Sequence, residues 1–208
     1  MFSSLARVSG VAALLTVTSS CALLTKNPPI VPRYFTPELA ETIQPPAVGD
    51  VHRLDVRLGR VGGSSYLKER MVYRDAGHEF GFREDQRWTE RPEVYLERAL
   101  VRAIFEERGV ERSLSASAPT LTAELVEFEE VTSTPPRVRL RVSYALHDER
   151  TVFFERTFSV ERPLAAGSEL SRPSRVAAGL GEALHDAVER IGSEVLTDRT
   201  QAIASRGQ

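Results

Sequence analysis

The strongest hairpin pattern in the chain begins with Arg137-Val138-Arg139-Leu140-Arg141-Val142-Ser143-Tyr144-Ala145-Leu146-His147. Val138, Leu140, Val142, Tyr144 and Leu146 fall on one parity, and Arg137, Arg139, Arg141 and Ser143 on the other. That is the period-two pattern of a strand with one buried face. His147-Asp148-Glu149-Arg150 follows as a turn, and Val152, Phe154, Phe158 and Val160 return in a second strand, so this stretch predicts a hairpin. Upstream, Leu121, Ala123 and Leu125 alternate, and then Val126 and Phe128 continue on the opposite parity. Such a strand either carries a bulge or is buried on both faces in its middle. Further back, Met71-Val72-Tyr73 and Phe80-Gly81-Phe82 flank Asp75-Ala76-Gly77-His78, a turn composition that predicts another hairpin. Leu54, Val56 and Leu58 alternate with Arg53, Asp55 and Arg57 as one more strand, after which Gly59, Gly62 and Gly63 read as the opening of a loop.

Two helices complete the pattern. Pro92 stands at a first helical position and Gly109 at a stop, with Tyr95, Leu96, Ala99, Leu100, Ala103 and Ile104 three or four apart between them. Val176, Leu180, Leu184, Val188, Ile191 and Val195 recur at helical spacing on a terminal helix that starts near Pro173. The order strands, helix, strands, helix predicts an α+β domain over residues 51–200, a mainly antiparallel sheet with two helices packed on one face, followed by a tail at 201–208.

The other end of the chain is of different character. Within residues 1–20 Arg7 is the only charge, and an apolar run extends from Val8 to Val17. Ten residues of helix span about 15 Å, half the roughly 30 Å of a bilayer core, so this segment reads as a secretory signal peptide and not as a permanent span. It runs through Thr18, Ser19 and Ser20 into Cys21, the single cysteine of the 208 residues. One cysteine excludes an internal disulfide framework and any multi-cysteine metal site. Its position after an apolar leader resembles the lipobox of bacterial lipoproteins, in which the thiol is acylated, although Thr18 stands where an aliphatic residue is usual. From Ala22 to about Val51 the chain holds Pro28, Pro29, Pro32, Pro37, Pro45 and Pro46, six of its twelve prolines. Residues 21–50 therefore read as a lipidated, proline-rich tether, which at polyproline extension would reach about 90 Å. Within it Arg33-Tyr34-Phe35 is an apolar interruption suited to an edge strand.

Charge and motif content exclude several functions. A net charge of −2, or −3 once the leader with Arg7 is removed, gives no basic face for nucleic acid. His52, His78, His147 and His185 fall in four different elements and form no zinc-type pair. Gly59-Arg60-Val61-Gly62-Gly63-Ser64-Ser65 lacks the lysine of a phosphate loop and the pattern of a nucleophile elbow, and reads as a flexible turn. No cofactor is expected beyond covalent lipid on Cys21, and no catalytic residue is assigned.

The lipobox-like cysteine, then Pro32-Arg33-Tyr34-Phe35-Thr36-Pro37, then the run from Val56 to Arg74, and finally Trp88-Thr89-Glu90-Arg91-Pro92 before a helix together resemble the ABC-type transport auxiliary lipoproteins, the group that includes the PqiC-type proteins. The resemblance implies a non-enzymatic, periplasm-facing lipoprotein. It would accompany mammalian-cell-entry-type (MCE) lipid-binding proteins and ABC transporter subunits in lipid transport between membranes. Ala22 after the cysteine favours the outer membrane by the same resemblance, with the inner membrane as the alternative. An envelope-assembly or scaffolding lipoprotein without a transporter is the competing class, and a periplasmic hydrolase a third. The candidate partner-binding residues are Tyr34, Phe35 and Tyr66, whose aromatic area suits an interface, and Arg137, Arg139 and Arg141. These arginines stand opposite Glu124, Glu127 or Glu129 for cross-strand pairing, or face a like copy in a homo-oligomer.

Overall fold

The structure, a computed structural model, describes residues 29–37, 55–75, 79–164 and 170–206, with side chains through 197. Cys21 and its leader, His52, Leu54, His78 and much of the proline-rich segment lie outside the described residues. The chain divides at Pro32. From there the elements are β1 (Arg33–Phe35), β2 (Asp55–Gly63), β3 (Arg70–Arg74), β4 (Phe80–Trp88), α1 (Pro92–Val101), β5 (Glu111–Arg112), β6 (Thr120–Val131), β7 (Arg137–His147), β8 (Val152–Pro163) and α2 (Arg172–Arg206). A wider π turn, Arg102–Glu106, continues α1, and Gly109 at φ 65° ends it. Only a residue without a β-carbon adopts that conformation freely.

β6 is the centre of the sheet. β7 lies antiparallel along one edge and carries β8 beyond it. Along the other edge two strands share the length of β6: β2 pairs with its first half and β3 with its second, both parallel. β4 then pairs antiparallel with β3, β1 parallel with β4, and β5 parallel with β2. The sheet is therefore mixed, which corrects the mainly antiparallel expectation. Parallel neighbours need a long crossover, and α1 with its π turn supplies it between β2–β4 and β6. Alternation in a sequence says which face of a strand is buried, but not which neighbour it meets or in which direction.

The glycine stretch is also corrected: Gly59, Gly62 and Gly63 are strand residues, not a flexible loop. A bulge falls between Leu58 and Val61. A β-carbon on Gly59 would lie 2.6 Å from Thr120 Cγ2, and one on Gly63 3.1 Å from Glu93 Oε2, so these glycines mark close approaches and not free backbone. The change of parity in β6 is a bulge as well, between Leu125 and Glu127. It returns Phe128 to the buried face with Leu121, Ala123 and Leu125.

Both helices lie on one side of the sheet. α1 packs on β2 and β6, α2 on β7 and β8, and the helices touch each other. The α2 stripe is buried throughout, with Leu180 and Ile191 fully enclosed, against Val138, Leu140, Val142, Tyr144 and Leu146 of β7. Trp88, 1% exposed, is wedged between Tyr95 of α1 at 6.4 Å and Phe128 of β6 at 5.2 Å between ring centroids. Buried Glu130 ties the start of α2 to the sheet, accepting from Arg172 Nε at 2.6 Å and from Arg83 Nη2 at 2.8 Å.

Part of the proline-rich segment belongs to this fold. Phe35 O accepts from Thr89 N at 3.0 Å, Arg33 pairs with Asp85 at 2.7 Å, and Pro37 is buried. The Pro37 carbonyl rests on α2 at Gly181, where a β-carbon would overlap it.

Candidate functional site

Among the described residues no helix covers the other face of the sheet. Because β7 alternates strictly, that face receives Arg137, Arg139, Arg141, Ser143 and Ala145, and pairing brings Glu129, Glu127, Glu124 and Thr122 of β6 beside them, with Glu161, Ser159, Thr157 and Glu155 of β8 on the other side. The face has two halves of different chemistry.

The first half is an ion-pair ladder. Arg139 Nε donates to Glu161 Oε1 at 2.7 Å, and its Nη1 lies 3.7 Å from Glu129 Oε1. Arg137 Nε stands 2.9 Å from Glu161 Oε2, and Arg141 Nη1 3.7 Å from Glu127 Oε1. Arg74 of β3 donates through two nitrogens to the two oxygens of Glu129, at 2.6 and 3.0 Å, a bidentate pair on a carboxylate with no solvent exposure. Burial works against the charge on Glu161, but the two arginines beside it hold its carboxyl below the usual range. The cross-strand pairs expected for the arginines therefore form with Glu127 and Glu129, and Glu161 joins them. Glu124 stands opposite Ser143 and takes no part.

Tyr66 closes the ladder at β3. Its hydroxyl donates to Val126 O at 2.8 Å and its ring lies 5.2 Å from that of Phe80, over which the Arg74 guanidinium sits at 5.5 Å. Burial, with Glu129 and Glu127 nearby, pushes the phenol up to about 12. Tyr34 is exposed on β1, while Phe35 is half-buried against the core. The six candidate contact residues are thus spread from the β1 edge across the face to β7 and do not form one patch.

The second half is a shallow, solvent-open groove of about 460 Å³ that runs across the strands. Gly62, Gly63, Thr122, Ser143 and Ala145 give it small walls, and Arg60, Glu124 and Glu155 stand at its rim. Sequence reasoning passed over it, although a signal was present: the outward residues of β7 change from arginine to Ser143 and Ala145, which opens space on the face. Tyr144 lines it from within and donates its hydroxyl to Glu194 of α2. Burial, reinforced by Glu194, holds that phenol above its ordinary range. Burial also opposes the charge on Glu194, but hydrogen bonds from Tyr144 and Arg190 outweigh it and keep the carboxyl low.

No group of three metal-ligating side chains occurs among the described residues, and no described helix is long and apolar enough to cross a membrane. The face offers recognition chemistry: charges, hydroxyls and relief.

Residues 38–192 match the model of a family described as ABC-type transport auxiliary lipoprotein component. The chain belongs to this family. Among solved structures, protein XCC0632 from Xanthomonas campestris superposes with a TM-score of 0.67 at 19% identity, over 83% of this chain and 99% of that one. A second, described as an uncharacterized protein, gives 0.59 at 13% identity over 79% and 99%. A minor lipoprotein from Acinetobacter baumannii is more distant, at 0.41 and 12% identity over 71% and 95%. These likenesses concern the fold. No curated protein matches the chain.

Proposed function

We propose that this auxiliary lipoprotein is held to the periplasmic face of the outer membrane by lipid on Cys21 and docks, without catalysis of its own, on an MCE-type lipid-binding protein and its ABC transporter. The observation that carries this reading is the family match over residues 38–192. The architecture supports it: the helices bury one side of the sheet, and among the described residues no helix covers the other. Acylation with two or three chains suffices for durable anchoring, since each buried methylene contributes about 0.8 kcal/mol and a single chain binds reversibly. Docking of Pro32–Pro37 on the domain leaves eleven residues from Cys21 to Val31 as a lead, which extend to at most about 40 Å.

The test is purification of the full chain from envelopes in mild detergent. Recovery of an ATPase, a permease and a lipid-binding subunit in constant ratio supports the reading; recovery of the chain alone, or with outer-membrane assembly proteins, refutes it. Cys21→Ser is expected to move the protein from the membrane to the soluble fraction and to abolish labelling with radioactive palmitate.

A further inference from the structure

The two halves of the open face differ in how their charges are satisfied. Along the ladder Arg74, Arg137, Arg139 and Arg141 share Glu127, Glu129 and Glu161. At the groove Arg60, Glu124 and Glu155 are in contact with no opposite charge and no hydrogen-bonding side chain among the described residues. On a surface where neighbouring charges pair so fully, three unpaired ones around a depression of small side chains form a recognition surface without its counterpart.

The sheet register fixes their spacing. Glu124 is opposite Ser143 and Glu155 opposite Ala145, so the two glutamates lie two strands apart laterally and two residues apart along the strand. Strand geometry puts their α-carbons about 12 Å apart. Two glutamate side chains converging on one guanidinium or ammonium span that distance, and between them Ser143 and Ala145 leave the floor open. Arg60, in the β2 bulge, lies beside Gly62, with its Nε 3.7 Å from where a β-carbon would be. Behind Gly63, on the helix side, the half-buried Glu93 is paired with Arg91 at 2.6 Å, so the acidic character of the groove comes from Glu124 and Glu155. A phosphate or an acyl chain is a poor occupant: the rim carries two carboxylates for one guanidinium, and the walls are hydroxyls and glycine.

From this we infer that the groove receives a basic side chain presented by a partner polypeptide, held between Glu124 and Glu155, with an acidic neighbour on the same segment meeting Arg60. The inference rests on the docking reading above and adds the chemistry of the contact. Desolvated charge pairs of this kind set register and suppress wrong partners.

The experiment is site-specific photo-cross-linking in cells with the full chain. A benzophenone amino acid replaces Thr157, which is exposed and opposite Ser143, and, as a reference, Glu97 on α1. Mass spectrometry of the captured peptide is expected to show a Lys or Arg with an acidic residue within a few positions, from Thr157 and not from Glu97. The double exchange Glu124→Gln with Glu155→Gln is expected to lower the yield about tenfold, equivalent to loss of one well-formed charge contact. Glu124→Lys with Glu155→Lys is expected to abolish capture, which returns when the captured basic residue is exchanged for Glu. Both glutamates are exposed or rim residues, and an unchanged melting temperature confirms the fold. Capture of a segment without a basic residue, of a second copy of this chain, of lipid or of nothing overturns the inference, as does a yield indifferent to the glutamates. If a basic segment is captured from a protein outside any transporter, the groove chemistry stands and the transport reading falls. If transport subunits co-purify while capture ignores the charges, the reverse holds.

Discussion

Gly181→Ala sets two well-measured effects against each other. In the interior of an exposed helix this change stabilises by about 1 kcal/mol, because alanine loses less backbone entropy on folding. At Gly181, however, the new methyl meets the carbonyl of Pro37, a backbone atom that no rotamer change moves aside. Overpacking of this kind costs about 1–3 kcal/mol. The net expectation is a loss of up to about 2 kcal/mol, and at roughly 2–4 °C per kcal/mol for a chain of this size the melting temperature should fall by up to about 8 °C. The loss is local in origin. The easiest relief is release of the Pro32–Pro37 segment, so the Thr89 amide, which donates to Phe35 O at 3.0 Å, should lose hydrogen-exchange protection ahead of the amides of β6 and β7. Gly179→Ala, two residues away, is the control. Its nearest neighbour is one methyl of Val138 at 3.2 Å, a side chain that yields by a few tenths of an ångström, so the helix-propensity gain should survive. A rise in melting temperature for Gly181→Ala with unchanged protection at Thr89 would show that β1 does not dock on α2 as described.

Trp88→Ala should cost about 3–5 kcal/mol, since the indole is enclosed between Tyr95 and Phe128 and its loss leaves a cavity under α1; urea denaturation with an unchanged slope checks it. Glu129→Ala should cost about 3–5 kcal/mol by leaving Arg74 partly buried and unpaired, whereas replacing Glu129 and Arg74 together by methionines should recover much of that loss. For pH, the carboxyls of Glu194 and Glu161 are both held below their ordinary value of 4.5 in the folded chain. Groups depressed on folding contribute stability that is complete above the unfolded value and lost as pH falls through the folded one. The melting temperature should therefore be flat near neutrality and decline below about pH 4.5. Tyr144→Phe, which removes the donor to Glu194, should lower the plateau and shrink that acid limb, and an acid limb identical to that of the parent would contradict the assignment.

What the amino-acid order determined by itself was local and periodic. The parity of Val138 to Leu146 set the buried face of β7, the spacing from Val176 to Val195 set the apolar stripe of α2, and Pro92 and Gly109 bounded the first helical segment. These features depend only on backbone repeats of two and 3.6 residues, which any sequence displays openly. The lipobox-like Cys21 and the family resemblance were legible for the same reason, being consecutive residues. Tertiary structure alone decided which strands are neighbours. β2 and β3 lie end to end along β6 because a helical crossover returns the chain parallel to itself, and alternation carries no information about direction. It also decided the glycines: Gly59 and Gly63 read as flexibility in one dimension and are points of contact in three, as is Gly181. The candidate groove was out of reach for the same cause. Arg60, Glu124, Ser143 and Glu155 come from four strands, and whether a charge is paired depends on the register that brings its neighbours, which long-range packing sets and local sequence does not.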